Sequence, residues 1–110
     1  LSCTRAYELE YFIFEDIVYM DDQSVQRFLK DIDGIVLATS IKGVSSEVEQ
    51  KIFNNMSQKA GLMLREERDF LGPMRLSDVE EAQQKIVALI LQLEEEGELY
   101  LPHGDQDVFV

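Results

Sequence analysis

His103 and Cys3 are the side chains of this sequence best suited to act as a base or a nucleophile, and each stands alone. His103 follows Pro102 in a polar tail and reads as a solvated loop residue. Cys3 lies in a weakly patterned opening segment and reads as an inert terminal thiol, with no second cysteine for an internal disulfide. A zinc site lacks ligands. Asp31-x-Asp33-Gly34 has a superficial likeness to a calcium loop, but with Gly34 at position six, Leu29 and Ser40 occupy positions that need carboxylates. Asn55-Met56-Ser57 matches a glycosylation sequon by chance in a helical context. No enzyme, metal or cofactor is expected. The remaining chemistry is charge, and it concentrates between Ser57 and Ser77.

That stretch predicts one amphipathic helix from about Ser57 to Leu71, with Met56, Ala60, Met63, Leu64 and Leu71 on the apolar stripe. Gly72-Pro73 stops it, because proline has no N–H to donate and disfavours helix in the residue before it. Lys59 and Glu66 fall nearly in line beside the stripe, while Arg65, Arg68 and Asp69 cover the outer face. Glu67 points into the stripe's edge, where a carboxylate needs a cation, and Arg75 is the nearest candidate in sequence. A charged face ordinarily only solvates a helix. Three features point further: Leu62 among the outer charges, Glu67 aimed inward, and Lys42 at a helix end before Gly43.

The elements that must hold this ridge follow in order. Leu1–Tyr11 reads as linker or a frayed helix end. The apolar cluster Tyr11-Phe12-Ile13-Phe14 suits a strand on propensity alone, but the acidic pair after it favours a short helix with a hydrophobic entry. Asp21-Asp22 suits the start of another over Gln23–Ile32. A third covers Ile35–Ile41, with Lys42 in its last turn and Gly43 as stop. Ser45 or Ser46 opens the fourth, Ser46-x-x-Glu49 matching a capping box. A second box, Ser77-x-x-Glu80, opens the last helix, which runs to about Glu96 with Gly97 as stop. Val79, Ala82, Ile86, Leu89, Ile90 and Leu93 fit its period, and Val87, Ala88 and Leu91 make it apolar nearly all round. Leu99-Tyr100-Leu101 reads as extended. The fold class is all-α: a compact bundle of about six short helices, a long apolar C-terminal helix and an irregular tail.

The chain has 110 residues, enough for one core at 45% apolar content. Ten Lys and Arg oppose 22 Asp and Glu, a net of −12, which argues against nucleic acid and against an anionic membrane surface. No apolar run is long enough to insert into a bilayer, and no signal peptide stands at the start. A reducing, cytoplasmic setting and a longer parent protein are the expectations.

Ordered stretches of the sequence resemble one family. They are Phe12–Val18, Met20–Gln26, Ile41–Gly43, Lys51–Ala60, Leu71–Ile86 and Leu93–Glu98, and together they resemble the C-terminal domain of the bacterial flagellar motor switch protein FliG. The resemblance spans roughly Tyr11 to Leu101. It implies a helical bundle on a cytoplasmic rotor ring at the inner membrane, without catalysis of its own. The helix at Gln58–Leu71 would face the cytoplasmic loop of a MotA-type stator, and torque would arise from charge contacts. Neighbouring rotor subunits and other switch proteins would be met through the full-length protein. The functional charges would be Lys42, Lys59, Glu66, Glu67 and Arg75. Tyr11, Phe12, Ile13 and Phe14 would form a hinge, with tyrosine where the motif has methionine. Residues 1–14 are then linker and hinge, 15–101 the torque-transmitting domain, and 102–110 a polar tail. The alternative is a structural or diverged rotor module that assembles without touching the stator.

Overall fold

Apolar side chains at three- and four-residue steps from Val79 to Leu93 give the chain its longest element. A computed structural model describes residues 12–101. In it the helices are α1 (Asp22–Asp31), α2 (Gly34–Ser40), α3 (Ser46–Asn54), α4 (Gln58–Leu71) and α5 (Leu76–Glu95), with 3-10 turns at Phe14–Tyr19 and Ile41–Gly43. Helix α5 buries Val79, Ala82, Ile86, Val87, Ile90 and Leu93, so apolar area leaving water drives its seating. Ala88 stays exposed, so one strip of the helix still meets solvent.

Helix α2 lies at the centre of the packing. It is in contact with α5, α4 and its own 3-10 continuation, and it buries Leu37, Ala38, Thr39 and Ser40. Two polar residues on this buried face are satisfied locally: Thr39 Oγ1 donates to the Ile35 carbonyl at 2.8 Å and Ser40 Oγ to the Leu37 carbonyl at 2.7 Å. Gln83 of α5 donates to the Ser40 carbonyl at 3.0 Å, which ties the two helices at the C-terminal end of α2. The core they share also takes in Phe12, Phe14, Ile17, Met20, Val25, Phe28, Ile52 and Leu64. The entry before the first 3-10 turn is therefore hydrophobic, as expected.

The helix ends reveal which local signals hold. Ser57 Oγ accepts from Ala60 N at 3.1 Å and caps α4, and Asp33 caps α2 by accepting from Ile35 N at 2.8 Å. Ser45, rather than Ser46, caps α3, accepting from Val48 N at 3.4 Å. The expected Ser46–Glu49 box does not form, because Ser46 is already the first helical residue, and Glu49 pairs with Arg68. Helix α5 also starts earlier than its predicted box. The Arg75 carbonyl already accepts from Asp78 and Val79, so Ser77 is helical itself and caps nothing. Asp21 stands at the start of α1 but its side chain makes no cap bond. Its neighbour Asp22 turns to α3, where Asn55 donates to it at 3.2 Å and Lys51 sits 3.4 Å away. The Asn55 amide, and then Lys51, hold the Asp22 carboxyl below its ordinary value of 3.8.

Gly97 ends α5 at φ 78°, with Glu98 N–H reaching back to the Leu93 carbonyl and Gly97 N–H to that of Glu94, a Schellman closure. The chain then bends at Glu98 and Leu99 and meets α1 at Ser24, with no strand formed where an extended segment was expected. Leu99 and Leu101 are buried, Tyr100 faces out, and its N–H donates to the buried Ser24 hydroxyl at 3.0 Å. Arg27 bridges Asp31 and Glu98, each at 3.1 Å. Those two partners, Asp31 first, raise its pKa further.

Candidate functional site

Helix α4 carries the charged ridge, and its position follows from two small inward features. Gly61 and Leu64 are its buried residues. A Cβ on Gly61 would stand 3.3 Å from Phe53 Cδ1, so the absence of a side chain lets α4 close on α3. Gly72 then takes φ 68° before Pro73, ending the helix at Leu71 as the sequence predicts.

The helix's arginines reach toward this seam, Arg68 half-buried in it and Arg65 exposed along its edge. Arg68, expected on the outer face, is half-buried and donates from Nη1 to Glu49 Oε2 of α3 at 2.7 Å, with Asp69 3.6 Å from its Nε. Arg65 lies over the Phe53 ring, 4.7 Å from its centroid. The correction has a simple cause. Arg68 is seven residues from Gly61 and so points the same way, but its partner is 19 residues upstream in sequence and leaves no local signal.

Lys59 and Glu66 stand exposed on the opposite side, and among the described residues no ion pair within 4 Å engages either. Glu67 does not meet Arg75. Both are exposed, and no ion pair joins them. The Glu67 carboxylate lies instead over the first residue of α2, its Oε1 3.2 Å from where a Gly34 Cβ would be. That end of a helix carries partial positive charge, so the carboxylate needs no cation there. Lys42 is half-buried in the 3-10 turn after α2, and Arg75 precedes α5. The structure thus gathers Lys59, Glu66 and Glu67 on one helix and leaves Lys42 and Arg75 on neighbouring segments.

Two residues on the outer face escaped the sequence reading. Met63, assigned to the apolar stripe, is 56% exposed, and Phe70 is 91% exposed. The signal was present in the spacing: Lys59, Met63, Glu66 and Phe70 are separated by four, three and four residues, which is one helical face. Leu62, expected outside, is 57% exposed. Of the residues expected to form a hinge, Phe12 and Phe14 are buried, Ile13 is exposed, and Tyr11 lies outside the described residues, as do Cys3 and His103. Among the described residues no cluster of acidic, His or Cys side chains is arranged for a metal, and no helix is long and apolar enough to cross a membrane.

Comparisons with known proteins agree with this fold. The family model described as FliG C-terminal domain matches residues 5–101. The flagellar motor switch protein FliG of Borreliella burgdorferi is 55% identical over 100 residues, which cover 90% of this chain and 29% of that protein. The protein of the same name from Thermotoga maritima is 50% identical over 93 residues, covering 84% and 28%. A crystal structure of FliG residues 116–343 from H. pylori superposes with a TM-score of 0.81 at 34% identity, covering 84% of this chain and 40% of that one. The chain spans less than a third of the length of these two curated relatives. It belongs to the FliG C-terminal domain family.

Proposed function

We propose that this chain is the torque-receiving part of a flagellar rotor protein, presenting the outer face of α4 to the cytoplasmic loop of a MotA-type stator. Family membership supplies the rotor context, because the relatives carry the name flagellar motor switch protein. The observation that carries the reading is the division of charge on α4. Arg65 and Arg68 are engaged with α3, whereas Lys59 and Glu66 stand in line, exposed and without an ion pair among the described residues. Exposed pairs are worth about 0–1 kcal/mol each, weak enough to form and release with every step. Opposite signs on the passing partner steer the approach and set its register. Lys42, Glu67 and Arg75 extend the charged surface around this line.

The rest of the reading concerns assembly. Contacts with neighbouring rotor subunits and other switch proteins belong to the full-length protein, at the cytoplasmic face of the inner membrane. The proposed hinge at residues 11–14 is anchored on this side by Phe12 and Phe14 in the core, so a swing moves the bundle as one body about the chain entering before them. The role needs no catalytic group or cofactor.

The test is a charge reversal. Lys59→Glu with Glu66→Lys should assemble rotors and filaments yet impair swimming. Reversing the matching charges of the stator loop should restore part of it, since attraction returns with both signs exchanged. A module that only holds the rotor together predicts a silent reversal or a loss of assembly.

A further inference from the structure

The outer face of α4 is not simply charged. Leu62 and Met63 are more than half exposed and Phe70 almost fully. Single exposed apolar residues are ordinary on a protein surface. Here three stand on one face of a 14-residue helix, interleaved with Lys59 and Glu66, which no ion pair engages among the described residues. At 100° per residue, Leu62, Glu66, Phe70 and Met63 fall within about 60° of Lys59, opposite Gly61 and Leu64. Along the axis the order is a base, an apolar pair about 5 Å on, an acid at about 10 Å and an aromatic ring at about 16 Å. Met74 and Leu76, also exposed, continue the apolar side chains past the Gly72-Pro73 break.

Resting on the functional reading above, we propose that the stator segment seated on α4 is amphipathic, with apolar residues between one acid and one base and just beyond the base, and that Phe70 is its main anchor. The acid belongs opposite Lys59 and the base opposite Glu66, so the charges fix direction while the apolar row supplies holding power. A second copy of this chain is a poorer occupant. An antiparallel pair would match Lys59 with Glu66 reciprocally, but Phe70 would overhang the partner helix, and each copy brings a net charge of −12. The same acidity disfavours an anionic membrane.

Salt separates the two contributions, because it screens exposed charges beyond about 10 Å at 0.1 M and leaves apolar contact in place. In the full-length rotor protein, Phe70→Ser should weaken binding of the purified stator cytoplasmic loop about ten- to a hundredfold, at 100 and 500 mM NaCl alike. Phe70→Leu should retain most of the binding. Lys59→Glu with Glu66→Lys should weaken it mainly at the lower salt. Phe70 is too exposed for these changes to alter folding, and matching thermal melts check this. In motile cells, benzoylphenylalanine at positions 62, 63 and 70 should photo-crosslink to the stator, and at the exposed position of Tyr19 it should not. If Phe70→Ser binds like the parent while the charge reversal does not, the apolar anchor is wrong and the functional reading stands. If the parent neither binds the loop nor yields a stator adduct, the functional reading fails and the anchor with it. Adducts between two copies of the protein, or association with lipid vesicles in place of the loop, would also overturn the proposal.

Discussion

The two sides of α4 use the same residue types for opposite ends. On the side toward α3, Arg68 reaches Glu49, Arg65 covers Phe53, and Gly61 and Leu64 close the seam. On the other side, Lys59 and Glu66 find nothing to pair with among the described residues, and Leu62, Met63 and Phe70 stand in solvent. The difference teaches that charge on a helix is not one property. A cation within reach of a fixed carboxylate holds the fold, whereas a cation facing outward is available to a partner. The comparison therefore predicts that inner-face changes are read in stability and outer-face changes in motility.

The largest effect belongs to the inner face. Leu64 is buried against the core, and Leu64→Ala should lower unfolding free energy by about 2–5 kcal/mol, measured by denaturant titration. Loss of motility in that variant would follow from unfolding and carry no information about the ridge. Next comes the ion pair. Arg68 and Glu49 are each about a quarter to a third exposed, so solvent screens them, and a double-mutant cycle to alanine should show coupling of about 0.5–1 kcal/mol. A coupling of zero would mean that α4 is held by apolar contact alone.

Acid should act through Asp22. Its carboxyl is held below its ordinary value of 3.8 in the folded chain, so its contribution is present above that value and is lost as pH falls through the lower folded one. Asp22→Asn should flatten this part of the stability profile below about pH 4, with the small loss of stability seen near neutral pH and the two proteins converging in acid. Glu67 and Arg75 sharpen the comparison from the opposite direction. Their single alanine changes should add within about 0.3–0.5 kcal/mol, since no ion pair couples them. Clear coupling would restore the pairing that spacing alone had suggested.

Much of the scaffold was legible because its signals are local. Ser57, Gly72-Pro73 and Gly97 bound their helices through caps and backbone preferences that act within a few residues. Apolar spacing likewise announced α5 and its buried face. The misreadings arose where a distant residue decided the outcome. Glu49 was expected beside a Ser46 cap and pairs with Arg68; Glu67 was expected to seek a cation and lies over the start of α2. Met63 fits an apolar stripe by spacing, but the face of α4 that is buried centres on Gly61 and Leu64 and leaves Met63 outside. Lys59 and Glu66 were legible as a line of charge. That they are unpaired depends on what surrounds them in space, which the sequence does not print.

The smallest expected effect on stability carries the greatest weight for function. Lys59→Glu with Glu66→Lys should shift unfolding free energy by no more than about 0.5 kcal/mol, because neither residue touches the core. The decisive measurement is the torque of single motors at high load in cells carrying that double reversal in an assembled rotor. The account predicts a clear fall in torque with unchanged stability and filament number. Torque equal to the parent's, with the reversal present and the rotor intact, would contradict it.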